Sequence, residues 1–166
     1  MNKYLQVTKY VMLDWIAATL SWFLFYIFRK QAEDPGFYNK FDIVFDDPNF
    51  WAGLIFIPVG WILLYGIVGT YRKIYRKARL KELGQTLVMT LIGVTVIFFV
   101  AILDDVIVTY KSYYQSFLTL YILHFLLTYA GRLMLTSVTV RKIHRKEIGF
   151  NTVIVGSNGN ALKIFK

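Results

Sequence analysis

The sequence predicts an all-α membrane protein, a four-helix transmembrane bundle with both ends on the cytoplasmic side, followed by the opening of a cytosolic α/β unit. Three observations predict this class. Hydrophobic residues make up 57% of the 166 residues and charged residues only 17%, whereas soluble domains average about 45–50% and about 25%. Four apolar stretches are long enough to cross a bilayer. The basic residues are concentrated on one side of those stretches.

The four apolar stretches are Tyr10–Phe28, Phe50–Thr70, Thr86–Leu103 and Phe117–Val140. At about 1.5 Å of rise per residue, each reaches across a hydrocarbon core of about 30 Å. Backbone groups inside lipid must satisfy their own hydrogen bonds, so each stretch is predicted to be a helix. The helices of a soluble bundle would show polar stripes, and 87–100 contains only Thr90 and Thr95 as polar residues.

The distribution of basic residues predicts the orientation. Fourteen Lys and Arg residues lie before span one, between spans two and three, and after span four, whereas the other two loops carry four. Loops rich in Lys and Arg remain on the cytoplasmic side, so both termini are predicted to be cytoplasmic. With no basic reading helix and no cysteine for a zinc finger, the partner of this charge is expected to be the lipid bilayer rather than nucleic acid.

The loop between spans two and three, residues 71–85, is strongly basic. Tyr71, Ile74, Tyr75 and Ala78 share one helical face, which favours an amphipathic helix on the inner leaflet. A cytoplasmic extension of span two is the alternative, and the sequence leaves both open. The predicted membrane-surface basic face comprises Arg72, Lys73, Arg76, Lys77, Arg79 and Lys81.

Two ionisable residues lie inside spans, where charge is costly and usually placed for a reason. Asp14 is about one turn inside the cytoplasmic end of span one, and the side chain of Arg132 in span four can reach the same level. We predict a structural Asp14–Arg132 pair, with a substrate-phosphate role for Arg132 as the alternative. His124 is predicted to make an interhelical hydrogen bond, and Pro58 with Gly60 to kink or thin span two for packing.

The non-basic loops contain adjacent carboxylates and aromatic residues. The pairs Asp46–Asp47 and Asp104–Asp105 are not expected to bind a metal, because adjacent residues cannot aim at one site on a helix and acidic outer loops follow from the topology. An outer aromatic belt is predicted, made of Phe50, Trp51, Tyr110, Tyr113 and Tyr114.

The last residues change in character. Helix four is predicted to continue through Arg141–Ile148 and to stop at Gly149. A β-branched run at Thr152–Val155 then precedes a glycine turn and a short helical segment. A Rossmann-type unit begins with a strand, a glycine turn and a helix in this order. We therefore predict a transmembrane domain over 1–148 and the first βα of a truncated Rossmann-like domain over 149–166. Gly156 and Gly159 form a weak fingerprint because Asn158 replaces the second glycine, so no cofactor is expected in this chain.

The order of these features resembles the large bacterial polyprenyl-phosphate sugar-1-phosphate transferases. Four N-terminal spans, the basic loop 71–83 and a Rossmann-like opening at 151–156 carry the resemblance, which covers essentially the whole chain. It implies a bacterial inner-membrane protein that moves sugar-1-phosphate from a nucleotide sugar to undecaprenyl phosphate and so initiates exopolysaccharide or O-antigen synthesis. In that family a C-terminal domain with Mg²⁺ does the chemistry, so no catalytic residue carries over and this chain alone is expected to be inactive.

The resemblance also implies partners. The four spans are expected to anchor the enzyme, to contact its own C-terminal catalytic domain, and to offer surfaces for a homodimer or for polyprenyl phosphate. The runner-up is the membrane module of a nucleotide-sugar dehydratase or epimerase, whose family also begins with four spans and a Rossmann-like domain. A small membrane scaffold or interaction protein is the third alternative. A transporter is disfavoured, because only Pro58 suggests a broken helix.

Overall fold

The structure, a computed structural model, describes residues 3–33, 42–72, 79–102 and 110–145. Every long element in these ranges is a helix. They are α1 (Lys3–Glu33), the short α2 (Asp42–Phe45), α3 (Pro48–Ile67), α4 (Arg79–Ile97, ending in a π-helical turn at Phe98–Ile102) and α5 (Tyr110–His144). Helices α1, α3, α4 and α5 are each long and apolar enough to cross a membrane. The described chain is therefore an all-α, multi-pass membrane bundle.

Neighbouring long helices run antiparallel. Asp14 of α1 contacts Arg132 of α5, and Ser21, two turns further along α1, contacts His124, two turns earlier on α5. Trp22 of α1 bonds to the start of α3 through the carbonyl of Phe50. We call the side where α1 and α4 begin and α3 and α5 end the basic end, and the other side the opposite end.

The polarity of the bundle is the reverse of that of a soluble protein. Large apolar side chains such as Ile16, Phe56, Leu63 and Met134 are exposed, whereas Asp14, Thr86, His124 and Arg132 are fully buried. Soluble monomers rarely expose contiguous apolar patches of this extent. A lipid environment explains both facts, because hydrocarbon solvates the outer surface while partners inside the bundle satisfy buried groups such as Asp14, His124 and Arg132.

Aromatic side chains fill the opposite half of the interior and fit against glycines. A Cβ added at Gly53 would lie 2.3 Å from the Trp22 ring, and one added at Gly93 would lie 2.3 Å from the Trp61 ring. Small residues let transmembrane helices approach closely. Pro58, predicted with Gly60 to kink or thin span two for packing, is buried, whereas Gly60 has open space at its Cβ position.

Both ends of α3 carry defined caps. At its start, the Asp47 carboxylate accepts from the Asn49 backbone N–H at 2.9 Å, and proline follows at the first helical position. At its end, Thr70 N–H donates to Tyr65 O and Gly69 N–H to Gly66 O. This is a Schellman motif, and Gly69 takes the left-handed conformation at φ 74°. The chain therefore turns sharply after Ile67, and span two is not extended as a straight helix through 68–72.

Some predicted details differ from the structure. The helices extend beyond the apolar stretches, most clearly at the start of α1 and α4, because polar residues outside the hydrocarbon still favour helix. Phe50 is not part of a surface belt, since it is buried among Phe23, Tyr26 and Phe45. Helix α5 covers the predicted extension of span four as far as His144, and residues 146–166, with the predicted stop at Gly149 and the Rossmann-like unit, lie outside the described residues.

Candidate functional site

A polar face runs along α5 inside the bundle. Positions four residues apart lie one above another on a helix, and the buried residues of α5 from Ser116 to Thr136 recur at that spacing. Except for Leu120, they are polar or charged: Ser116, His124, Thr128, Arg132 and Thr136. This face meets buried polar residues of α1, α3 and α4. The interior at the basic end is therefore a hydrogen-bonded network rather than an apolar core.

The centre of the network is the Asp14–Arg132 ion pair, which the structure brings together with neither side chain exposed to the surface. Arg132 Nε donates to Asp14 Oδ1 at 2.9 Å and Nη2 to Oδ2 at 2.7 Å. Its Nη1 donates to Thr86 at 3.3 Å, and the guanidinium lies 4.0 Å from the centre of the Tyr65 ring. Bidentate geometry with further partners is what a buried ion pair needs to offset its desolvation.

Tyr71 joins the ion pair to the basic loop. Its hydroxyl donates to Asp14 Oδ2 at 2.9 Å, and the Schellman turn at Gly69 returns the chain toward the bundle so that this contact forms. Burial and the neighbouring Asp14 carboxylate raise the pKa of Tyr71 well above its ordinary value. The phenol therefore remains a hydrogen-bond donor at any physiological pH.

Glu82, in the first turn of α4, is also part of the interior. It is 3% exposed and accepts a hydrogen bond from Thr136. The Tyr10 hydroxyl lies 2.8 Å from Thr136 Oγ1, which links α1, α5 and α4 in one chain. Gln85 donates to Thr70 at 3.0 Å. The residues on both sides of the basic loop are thus fixed by contacts inside the bundle.

His124 occupies the middle of the bundle. Ser21 Oγ donates to Ala18 O, so the 3.0 Å contact of Ser21 with His124 is best satisfied by a proton on Nδ1. The other nitrogen, Nε2, then accepts from Tyr65 at 3.1 Å. Trp61 stacks on the imidazole with ring centroids 3.7 Å apart. The predicted interhelical hydrogen bond is present, and it joins three helices.

The predicted basic face is described only in part. Arg72, Arg79 and Lys81 are exposed at the basic end, whereas Lys73, Arg76 and Lys77 lie outside the described residues, as do Gly156 and Gly159 of the weak glycine fingerprint. Within the described ranges, no group of three or more His, Asp or Glu residues could hold a metal ion. Asp46 is exposed, and Asp47 caps α3 and pairs with Lys30 at 3.3 Å.

A separate apolar groove of about 440 Å³ lies between α1 and α3, toward the opposite end. Its walls are almost entirely hydrocarbon and aromatic, including Trp15, Phe23, Trp51 and Leu54. A groove of this composition suits a hydrocarbon chain of the surrounding lipid better than a polar substrate.

No family model, curated protein or solved structure matches the chain. What the site can do therefore follows from its own chemistry. Its groups donate and accept hydrogen bonds, balance a buried charge and hold the two sides of a surface loop. The role they support best is positioning one end of a membrane bundle.

Sequence reasoning missed most of this network. The sequence pattern does not mark Tyr10, Tyr65, Glu82 or Thr136 as interior polar contacts, and it assigns Tyr71 to a helical face of the basic loop rather than to the ion pair. One signal was present. Polar residues recur every four positions from 124 to 136 within an otherwise apolar span, and that spacing marks a buried polar face of a membrane helix.

Proposed function

We propose that the chain is the membrane-anchoring module of a transferase that moves sugar-1-phosphate from a nucleotide sugar to undecaprenyl phosphate, beginning exopolysaccharide or O-antigen synthesis. The catalytic domain, with its Mg²⁺, lies outside these 166 residues. The order of four spans, basic loop and Rossmann-like opening supports the family. The observation that supports an anchoring role is the buried polar network, which fixes the helix ends beside the basic loop.

In this proposal the basic end faces the cytoplasm of a bacterial inner membrane. The exposed cations at that end then follow the positive-inside rule, and the Rossmann-like opening after α5 enters the cytosol. The catalytic domain of such an enzyme works on a cytosolic nucleotide sugar and a membrane lipid. A rigid four-span anchor holds that domain at the interface where both substrates are present.

The test compares two proteins purified in the same detergent with undecaprenyl phosphate. One is the product of the whole reading frame that contains this chain, and the other is residues 1–166 alone. We expect the whole product to release nucleoside monophosphate from a nucleotide diphosphate sugar when Mg²⁺ is present, and the 166-residue chain to release none. Turnover by the 166-residue chain would contradict the proposal that it anchors the enzyme and that a separate domain catalyses the reaction.

The same assay distinguishes the proposed transferase from the runner-up function. A nucleotide-sugar dehydratase or epimerase would change the sugar without releasing nucleoside monophosphate and would depend on NAD rather than on the lipid phosphate. Product analysis by mass spectrometry distinguishes these outcomes, and an NAD-dependent change in the sugar would overturn the transferase proposal.

A further inference from the structure

The basic end carries exposed cations contributed by all four long helices or the turns beside them. We define the basic surface as Lys9, Arg72, Arg79, Lys81 and Arg141, each of which is exposed. Of the acidic residues that the structure describes at this end, Asp14 and Glu82, both are buried. The charge at the described basic end is therefore uniformly positive where it meets the surroundings.

Apolar side chains lie directly beside these cations. Leu80, between Arg79 and Lys81, is 81% exposed, and so is Ile67 near the turn that leads to Arg72. Val138, one turn before Arg141, is also exposed. The charged backbone of a nucleic acid offers little apolar surface to cover such side chains. The edge of a bilayer does, because acyl chains solvate the apolar residues while headgroups lie at the level of the cations.

We propose that the basic surface binds the headgroups of anionic phospholipids, in preference to zwitterionic ones, and that the buried network positions it to do so. Long cationic side chains at a helix end reach the headgroup level while their stems lie along hydrocarbon. Tyr71 is held on Asp14, immediately before Arg72. Glu82 is held on Thr136, immediately after Lys81. Arg72 and Lys81 are thus each adjacent in sequence to a residue fixed in the interior.

The experiment is a thermal-unfolding titration of the full chain in a neutral detergent, with phosphatidylglycerol or phosphatidylcholine as the added lipid. A lipid that binds only the folded state raises the melting temperature with its concentration. We expect phosphatidylglycerol to raise it and phosphatidylcholine to have little effect. The shift should shrink between about 0.05 M and about 0.5 M salt, because salt screens exposed charges.

Matched double variants locate the site. Each surface cation contributes roughly fivefold to the preference for anionic lipid, so Arg79→Gln with Lys81→Gln should raise the phosphatidylglycerol concentration for half of the shift by roughly 25-fold. The control, Arg29→Gln with Lys111→Gln, removes the same charge at the opposite end and should leave that concentration within about twofold. Lys9→Gln with Arg141→Gln tests the surface on different helices and should behave as the first pair does.

Three outcomes would overturn the proposal. The first is an equal response of the wild type to both lipids. The second is a control pair that weakens binding as much as the basic-end pair, which would show that lipid binding depends only on the net charge of the protein. The third is no lipid preference together with salt-sensitive binding of a single-stranded RNA oligonucleotide, which would assign the surface to nucleic acid. None of these results bears on transferase activity, so the two proposals fail separately.

Discussion

At the scale of single residues, the Asp14–Arg132 ion pair makes the stability of the fold sensitive to the loss of either charge. Removing one partner leaves the other charge buried without compensation, which costs about 3–5 kcal/mol in protein interiors. We therefore expect Asp14→Asn or Arg132→Met to lower the free energy of unfolding by about that amount, measured by denaturant titration in lipid–detergent bicelles. The double variant Asp14→Leu with Arg132→Met should lose less than either single variant, because no charge then remains.

Exchanging the two charges tests the pair in another way. The double variant Asp14→Arg with Arg132→Asp should recover part of the stability that either of these two substitutions removes when it is made alone. Recovery should be incomplete because Tyr71 donates to Asp14, and Thr86 accepts from Arg132, at their present positions. No recovery at all would contradict a structural role for the pair. Thr95→Val is a suitable control, since Thr95 bonds only within its own helix, to Leu91 O, and it should be nearly neutral.

The glycines that receive tryptophan rings are a second set of sensitive residues. Gly53→Ala and Gly93→Ala place a methyl group 2.3 Å from ring atoms, and overpacking of this kind typically costs about 1–3 kcal/mol. Gly60→Ala is the matched control on α3, because its Cβ position is open and alanine favours the helix by about 1 kcal/mol. Equal effects at the three positions, measured by the same unfolding titration, would contradict the close packing of Trp22 and Trp61.

At the scale of elements, Asp47 joins the end of α1 to the start of α3. Its carboxylate caps α3, pairs with Lys30 and accepts from Tyr26. Partial burial raises the pKa of Asp47, but the hydrogen bonds from Tyr26 and the Asn49 amide and the charge of Lys30 outweigh it, so the pKa lies below its ordinary value of 3.8. A lowered pKa means that the carboxylate stabilises the fold above pH 3.8 and that this contribution is lost as the pH falls below it.

The expected result is a melting temperature that falls as the pH is lowered from about 5 to about 3, and falls less in Asp47→Asn. Asparagine caps helices about as well as aspartate, so this variant removes the charge and retains the cap. Comparing the two proteins at each pH separates the contribution of Asp47 from that of the other carboxyl groups. Identical slopes in the wild type and the variant would exclude Asp47 as a source of the acid sensitivity.

Whether the sequence predicts the position of a helix, its ends or its contacts depends on the physical force that determines each of them. Hydropathy locates the part of each helix that lies in hydrocarbon, so the four spans were predicted. It does not locate the ends, since Arg79–Gln85 is polar and still helical. The Asp14–Arg132 pair was predictable because two isolated charges at one depth have few other partners. The Tyr71 and Glu82 contacts were not, because they depend on how a turn and a helix start pack against other helices.

At the scale of the whole molecule, the antiparallel order of the helices and their buried polar network define a bundle with two chemically distinct ends. The basic end has exposed cations and an interior of charged and hydroxyl groups, whereas the opposite end has an aromatic interior and an acidic cap at Asp47. The positive-inside rule orients such a bundle. Which end faces the cytoplasm is therefore a prediction that labelling can test directly.

The chain contains no cysteine, so single cysteines report their own side of the membrane without background. We expect Asn49→Cys and Tyr114→Cys, exposed at the opposite end, to react with a membrane-impermeant maleimide in intact spheroplasts. Tyr4→Cys and Leu80→Cys, exposed at the basic end, should react only after the membrane is permeabilised. All four substitutions leave the charge pattern unchanged, so they do not bias the orientation that they measure. The reverse labelling pattern would place the basic end outside, which would contradict the proposed cytosolic catalytic domain.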